Sequence, residues 1–323
     1  MNRKEFLGLA GGSILVAEST YYLLSDRSSF VRADVSEDTT PKFPLTTDER
    51  RILFLASLAP SGHNTQPWFI RHIEPFQWII CNNERRWLPA VDPVQRETML
   101  SIRAFIQNVA YAASSLGYQF DFSLLATTNQ DEGVMSVKLI KSENQFKYDA
   151  ENIIQRRTVR SNILSLELKA GDVRELTNNE SRFIHFISRG ERHYEYLNEQ
   201  NIEANKIQSY RDQAQIELAN WIRFSNKDAE NYRDGLTTAS MEIQGFSGWV
   251  VRNFYTKSNL MDKRFRDQNI DQVEKQVASS AGWFIIASKD STVTSLIETG
   301  MQMERLFLKV KAKGIAIQKN IYT

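Results

Sequence analysis

Hydrophobic side chains recur at two different periods along the chain, and these periods predict both helices and strands. Residues 95–116 keep apolar side chains at the 3.6-residue spacing of an amphipathic helix, and Gly117 follows as a left-handed stop. Residues 48–58 form a shorter amphipathic run of the same kind. Alternating or continuous apolar runs predict strands at residues 68–81, 120–124 and 134–139. The N-terminal half of the chain is therefore expected to mix helix and sheet.

A similar order of elements recurs near the C-terminal end of the chain. The pattern predicts a strand at residues 283–287, a helix at 292–313 that stops at Gly314, and a strand at 315–317. Strand, loop, helix, glycine and strand thus occur twice. This repeat predicts two related α/β halves, at residues 44–150 and 151–323.

Between the two repeats, apolar spacing predicts helices at residues 164–176 and 207–224. Residues 234–236 and 245–249 contain glycine and are expected to form a loop that shapes a pocket, with Phe246 and Trp249 as candidate walls. Asp92 and Pro93 precede the helix at 95–116, and we interpret them as a structural turn that favours the helix N-terminus.

Composition excludes several classes of function. The 323 residues include 40 Lys and Arg and 39 Asp and Glu, which gives a net charge of +1. The chain as a whole therefore lacks the positive potential that would attract nucleic acid. The single cysteine, Cys81, lies in an apolar run and predicts neither a disulfide nor a cysteine metal site. The four histidines lack ligand spacing, so we expect no metal.

The first 43 residues are not expected to belong to the globular fold. Arg3, Lys4, Phe6 and Leu7 precede a short apolar run to residue 17, and a polar linker follows at 34–43. This pattern resembles a twin-arginine export signal with Lys4 in place of the second arginine. It predicts a periplasmic protein or one at the outer face of the cytoplasmic membrane. The alternatives are an uncleaved anchor or a plain tail on a cytoplasmic protein. No other segment is apolar enough to span a membrane.

A cluster of polar residues joins the first predicted helix to the first predicted strand. Residues 61–68 read Ser-Gly-His-Asn-Thr-Gln-Pro-Trp and offer a hydroxyl, an imidazole, two amides and exposed backbone N–H groups. Such a cluster suits a flat polar ligand that carries carbonyl groups. The alternative is that Pro60, Gly62 and Asn64 are only turn residues.

Together with Ala59 and Pro60, this segment resembles the Ala-Pro-Ser-x-x-Asn-x-Gln-Pro-Trp signature of the FMN-binding nitroreductase family, and especially its Acg-like branch. The resemblance implies a nitroreductase-like α+β fold in which one chain resembles a fused dimer, with non-covalently bound FMN between its halves. It implies redox chemistry through the flavin ring, with NAD(P)H as donor and nitro, quinone or similar electron-poor acceptors. The cofactor-binding residues implied here are Ser61, Gly62, His63, Asn64 and Gln66.

A second motif is cationic. Arg156, Arg157, Thr158 and Arg160 resemble the Arg-Arg-Ser-x-Arg element that holds the FMN phosphate in the family. Guanidinium groups form charge-assisted hydrogen bonds with phosphate oxygens, which explains the residue types. The alternative is a solvated basic face without a ligand. Gln318, directly after the last predicted strand, is a further candidate for a phosphate contact.

Three functions remain open at this point. The chain is either an FMN-dependent oxidoreductase, a flavin-binding or flavin-sequestering protein without NAD(P)H turnover, or a scaffold with a vestigial pocket. No catalytic acid–base residues are expected, because a nitroreductase positions the flavin and its partners rather than supplying a triad. No Gly-x-Gly-x-x-Gly motif follows a strand, so a separate nicotinamide domain is not expected. Either a monomer or a homodimer fits.

Overall fold

A computed structural model describes residues 45–143, 147–178 and 183–319 of the chain. The export-signal prediction and the polar linker therefore lie outside the described residues. The described part mixes helices with three small sheets, which confirms the α+β prediction.

The N-terminal elements build one four-stranded antiparallel sheet with two helices. In chain order they are α1 (Thr47–Ser57), β1 (Trp68–Glu74), β2 (Gln77–Asn82), α2 (Arg96–Ser115), β3 (Tyr118–Leu124) and β4 (Gly133–Lys141). The strand order is β1-β2-β4-β3. The alternating run at 68–81 forms two strands, because the chain reverses at Phe76, whose φ is +63°, and its segment 78–81 is the buried strand that the pattern predicts. The helix predicted at 95–116 is confirmed, and Gly117 adopts a φ of +77° after it.

The rest of the chain is mainly helical. Its elements are α3 (Glu151–Gln155), α4 (Ala170–Asn178), β5 (Ile184–Ser188), α5 (Arg192–Tyr210), α6 (Asp212–Trp221), β6 (Ile222–Arg223), α7 (Asn226–Tyr232), β7 (Leu236–Thr237), α8 (Gly245–Phe254), α9 (Lys263–Ser279), β8 (Gly282–Ile286) and α10 (Val293–Ala312). Strands β5 and β8 pair antiparallel, and β6 pairs parallel with β7. The strand and helix predicted at 283–287 and 292–313 are confirmed.

Four predictions from the pattern are corrected by the structure. The helix predicted at 207–224 is the end of α5 and all of α6, because Arg211 leaves helical geometry with a ψ of 107°. The helix predicted at 164–176 begins only at Ala170. Residues 245–249 form the first half of α8 rather than a loop. Residues 315–317 make no regular strand, although the carbonyl of Ile317 accepts a hydrogen bond from the Val159 N–H at 3.2 Å.

The core lies where α2 packs along α10 and against one face of the large sheet. Buried side chains of both helices and of β2 and β4 form one cluster, including Ile102, Phe105, Ile106, Met303, Phe307, Trp78, Ile80 and Val137. Burial of each large apolar side chain stabilises the fold by about 1.5–3 kcal/mol. A β-carbon at Gly300 would lie 2.7 Å from the β-carbon of Arg103, so glycine is what lets the two helices approach this closely. The long helices from the two ends of the chain therefore share a single core.

Candidate functional site

The polar segment between α1 and β1 forms a tight elbow, defined here as residues 58–66. Its backbone is left-handed at three non-glycine residues, His63, Asn64 and Gln66, with φ of 46°, 55° and 52°. Ser61 closes the elbow, because its hydroxyl accepts a hydrogen bond from the Gln66 N–H at 3.0 Å. Each left-handed residue with a β-carbon costs about 1–2 kcal/mol, so surrounding contacts must hold this shape.

The main contacts come from residues 233–235, which we call the strap. The Asn64 Nδ2 group donates to the carbonyl of Gly235 at 2.9 Å, and the Gly235 N–H donates to the Asn64 carbonyl at 3.0 Å. The Gln66 Nε2 group donates to the carbonyl of Arg233 at 2.9 Å. The donor ends of both amides therefore bind protein, and their side-chain oxygens are the ends left for a ligand.

Asp234 fixes the strap to its surroundings. Its carboxylate accepts from Arg86 Nη1 at 2.9 Å on one oxygen, and from Arg223 Nη2 and Nε at 2.6 and 3.0 Å on the other. Arg86 Nη1 also donates to the carbonyl of Thr65, inside the elbow, at 2.6 Å. Charge-assisted bonds of this kind are about twice as strong as neutral ones. The elbow, the strap and the Arg86 loop thus form one polar network.

A partly buried ion pair lies against the elbow at Gly62. Lys319 Nζ donates to Glu97 Oε1 at 2.8 Å, and a β-carbon at Gly62 would lie 3.0 Å from the Glu97 carboxyl carbon. Burial lowers the pKa of His63, and the Lys319 charge adds to this effect while Glu97 opposes it. The His63 ring is therefore neutral at pH 7. Its Nε2 atom is buried without a hydrogen-bond partner among the described residues.

Sequence reasoning missed both members of this ion pair. Glu97 lies in the first turn of α2, where an acidic residue is ordinary because it favours the helix dipole. Lys319 directly follows Gln318, which was singled out. The sequence offers one indication of its role. Lys319 comes two residues after the apolar run 315–317, so its side chain is expected near the elements against which that run packs. Burial by itself would raise the pKa of Glu97. The charge and hydrogen bond of Lys319, with a smaller contribution from His63, outweigh burial and lower the pKa.

The first residue of the cationic motif belongs to the core. Arg156 is 5% exposed, and its Nη2 group donates to the Leu58 carbonyl at the start of the elbow at 2.7 Å. Its Nε atom lies 3.6 Å from a carboxylate oxygen of Glu304 on α10. Glu304 is fully buried, and burial raises its pKa to about 7 while the Arg156 charge opposes the rise. Arg156 thus ties the elbow to α10.

The remaining residues of the motif diverge. Arg157 is exposed, and its guanidinium makes no hydrogen bond or ion pair with any residue that the structure describes. Thr158 is partly buried. Arg160 is engaged by the chain after the strap: its N–H donates to Glu242 at 3.0 Å and its Nη1 group to the Ser240 carbonyl at 2.8 Å. Burial lowers the pKa of Arg160, and Glu242 opposes this.

Residues 317–319 bring the two motifs together. At one end, the carbonyl of Ile317 bonds the N–H of Val159, inside the cationic motif. At the other, Lys319 reaches Glu97, which touches the elbow at Gly62. Gln318 lies between these contacts and is partly buried. The segments that the sequence singled out, separated by about a hundred residues or more, therefore border one region of the molecule.

Two further predicted features have clear positions. Asp92 accepts hydrogen bonds from the N–H groups of Arg96 and Thr98, both at 2.8 Å, and so caps α2 as the structural interpretation predicted. Phe246 and Trp249 lie on α8 and stack on one another with ring centroids 5.6 Å apart.

Within residues 45–143, 147–178 and 183–319, no three His, Cys, Asp or Glu side chains gather in a way that could hold a metal ion. In the same part of the chain, none of the helices is both long and apolar enough to cross a membrane.

Comparison with known proteins gives a partial match. Two Mycobacterium tuberculosis proteins, from strains CDC 1551 and H37Rv and each named "Putative NAD(P)H nitroreductase", are 38% identical to this chain over 77 residues. The match spans 24% of this chain and only 22% of the length of each relative. No protein-family profile matches the chain. The similarity supports a relationship to nitroreductase-like proteins over that part of the sequence.

Proposed function

We propose that the protein is an FMN-binding oxidoreductase of the nitroreductase type, which uses NAD(P)H to reduce nitro, quinone or similar acceptors. One observation carries the proposal: residues 317–319 contact both the Val159 backbone of the cationic motif and, through Glu97, the Gly62 elbow. A phosphate-binding motif and a ring-binding motif are useful to FMN only when they border one region. The partial similarity to proteins named NAD(P)H nitroreductases agrees with this function.

The residues present suit FMN. Arg157 has an exposed guanidinium with no hydrogen-bond or ion-pair partner among the described residues, and Thr158 beside it carries a hydroxyl, so these two would hold the phosphate. Gln318 would add an amide, whereas the charge of Lys319 is already paired with Glu97. Arg156 and Arg160 are bonded to the protein, and in this proposal they position the segment around the phosphate.

The elbow would bind the flavin ring. The side-chain oxygens of Asn64 and Gln66 would accept from ring N–H, and the N–H groups near Ser61 and Gly62 would donate to ring or ribityl oxygens. The buried, unpartnered Nε2 atom of His63 fits a polar ligand at this place. When bound, FMN supplies hydride transfer between NAD(P)H and the acceptor, and the protein supplies orientation and shelter from water.

We further propose an Acg-like organisation, in which residues 44–150 and 151–323 are two halves that resemble a fused nitroreductase dimer, with the flavin between them. The first half would contribute the elbow and the second the cationic motif. Export through the twin-arginine-like N-terminal segment is part of the same proposal, since a folded protein carries a non-covalent cofactor across the membrane.

A second function is favoured by the strap. Both amide donors of the elbow are already bonded to the carbonyls of Arg233 and Gly235. A site closed in this way would hold flavin and exclude a nicotinamide or an acceptor. In that case the protein binds or sequesters flavin without NAD(P)H turnover.

The absorbance spectrum of the purified protein, recorded before and after NADPH under anaerobic conditions, separates these functions. A flavin spectrum that NADPH bleaches supports the oxidoreductase. A flavin spectrum that NADPH leaves unchanged supports the sequestering protein. Chromatography of the heat-released chromophore should give FMN. FAD would contradict the FMN assignment, and no flavin even after reconstitution would contradict both functions.

The phosphate site has its own test. Arg157→Ala should weaken FMN binding by about 1–3 kcal/mol, because one charge-assisted contact is lost. Arg189→Ala, at another exposed arginine, is the matched control and should bind FMN like the wild type. Equal FMN affinities of the two variants would show that Arg157 does not contact the phosphate.

The export proposal is tested by fusing residues 1–45 to a reporter that works only outside the cytoplasm. Reporter activity that increases with Lys4→Arg supports the twin-arginine route. If neither the wild-type fusion nor the Lys4→Arg fusion gives reporter activity, the export proposal is wrong and the protein is assigned to the cytoplasm.

A further inference from the structure

An open cleft lies beside Arg223, the arginine that binds Asp234 of the strap. It has a volume of about 470 Å³ and is formed by residues 85–90 and helix α6. The indole rings of Trp87 and Trp221 and the side chain of Ile216 give it apolar surface, and the guanidinium groups of Arg85 and Arg223 line it as well. None of the residues assigned to FMN lines this cleft.

The walls of the cleft are held at a fixed separation. The carboxylate of Glu217 on α6 accepts hydrogen bonds from the N–H groups of Ala90 and Val91, at 2.8 and 3.1 Å. Arg211, just before α6, donates to the Ala90 carbonyl. The Trp87 Nε1 group donates to Asn82 at 2.8 Å, which fixes the orientation of that indole. The cleft is therefore preformed, which lowers the entropic cost of filling it.

The charge of the cleft is positive on balance. Its lining includes two arginines, Arg85 and Arg223, and one carboxylate, that of Glu217, which is bonded to backbone N–H groups. Asp234, the ion-pair partner of Arg223, lies outside the lining and is shared with Arg86. The Arg223 guanidinium also lies over the Trp221 ring, 5.5 Å from its centroid. Arg85 is exposed, and within the described part of the chain its guanidinium makes no ion pair or hydrogen bond. An anion at Arg85 would meet an unneutralised charge.

We propose that this cleft binds a planar aromatic anion, such as an aromatic carboxylate, with its ring against the indoles and its anionic group at Arg85. Aromatic rings pack on indole faces with favourable quadrupole geometry, and a guanidinium binds a carboxylate through two parallel hydrogen bonds. A volume of about 470 Å³ accommodates one or two fused rings. This site is independent of flavin binding, although Arg223 and Asp234 connect it to the strap.

The test is calorimetric titration of the full chain with 2-naphthoate. Two probes serve as chemical controls: 2-naphthol, which has the ring without the carboxylate, and decanoate, which has the carboxylate without the ring. Two variants alter the cleft: Arg85→Gln removes the charge, and Ile216→Asp adds a negative charge to an exposed cleft residue. Their matched controls are Arg189→Gln and Ile207→Asp, which make the same changes at exposed positions elsewhere.

The proposal expects saturable binding of 2-naphthoate that each cleft variant weakens about tenfold or more, with the control variants unchanged. It also expects both control probes to bind about tenfold more weakly than 2-naphthoate. No saturable binding, or equal binding by cleft and control variants, overturns the proposal. Loss of 2-naphthoate binding in Arg157→Ala, the variant of the proposed phosphate site, as large as the loss in Arg85→Gln overturns it too, because the probe then occupies the flavin site. If the protein binds no flavin but gives the expected 2-naphthoate titration, the proposed function is wrong and the cleft proposal stands.

Discussion

The elbow and the cationic motif are both short polar segments that resemble parts of one cofactor site, yet they are held in different ways. The elbow acts as a unit: Ser61, Asn64, Thr65 and Gln66 all bond within it, to the strap or to Arg86. In the cationic motif, neighbouring residues go to different places. Arg156 is in the core, whereas Arg157 faces solvent.

The difference comes from backbone geometry. The elbow is a tight turn, which gathers successive side chains on one region of the molecule. Arg156 is extended, with φ of −61° and ψ of 130°, and an extended chain directs successive side chains to opposite sides. Identical neighbouring residues in an extended segment can therefore have opposite roles, one in stability and the other in binding.

The largest expected effect separates these two arginines. Arg156→Ala should lower the free energy of unfolding by about 3–5 kcal/mol, because it leaves the Leu58 carbonyl without its donor and Glu304 without its counter-charge. Arg157→Ala should change it by less than about 0.5 kcal/mol, as an exposed residue. Chemical denaturation measures both. Similar losses in the two variants would contradict the division of roles.

The second prediction concerns pH. The folded pKa of Glu304 is raised to about 7 from an ordinary value of 4.5, so the folded state binds the extra proton between these values. Stability should therefore fall as pH rises from about 4.5 to 7, by up to about 3 kcal/mol from this group. Glu304→Gln should remove that slope, and Glu298→Gln, at an exposed carboxylate on the same helix, should keep it. If Glu304→Gln keeps the wild-type dependence of stability on pH, the dependence does not come from Glu304.

A third, smaller effect tests the strap. Gly235 has a φ of +74°, and a β-carbon there would lie 2.3 Å from the Trp221 carbonyl. Gly314 has a φ of +70° with open space around it. Gly314→Ala should cost about 1 kcal/mol from backbone strain alone, and Gly235→Ala about 2 kcal/mol or more because the clash is added. Thermal and chemical unfolding measure the stability of both variants. Equal losses of stability would show that the strap shifts to relieve the clash at little cost.

The smallest effect concerns the amide bond between elbow and strap. Asn64→Ala should cost about 1 kcal/mol and speed hydrogen exchange in residues 233–236, since the Gly235 carbonyl loses its donor. Asn129→Ala removes a similar long-range bond, to the Val94 carbonyl, and is the control. It should cost a similar free energy without changing exchange in the strap. Unchanged exchange in Asn64→Ala would mean that Asp234 alone holds the strap.

Elements with a clear apolar period were predictable from sequence. Helices α2 and α10 were found with bounds close to those observed, since each repeats apolar residues over five turns and ends at a glycine. The break at Arg211 was not predictable, because neither glycine nor proline marks it. The sequence of helix α8 favours a loop, since two of its first four residues are glycine and this outweighs its apolar face.

The candidate site was predictable only as a set of residue types. The motif placed Asn64 and Gln66 on an elbow, but their partners lie about 170 residues away in the strap. Likewise, burial of Arg156 depends on Glu304, which is distant in sequence and has no local signal. Local patterns specify which groups are present, whereas tertiary contacts decide which of their hydrogen-bonding atoms remain for a ligand.

The left-handed backbone of the elbow has a consequence for protein engineering. Glycine adopts the φ of His63 without strain, and the His63 Nε2 atom has no hydrogen bond to lose among the described residues, so a screen for thermal stability alone should favour glycine there. A screen for flavin binding should reject the same substitution, because it deletes the imidazole. The elbow is therefore a place where selection for robustness and selection for activity would drive the sequence in opposite directions.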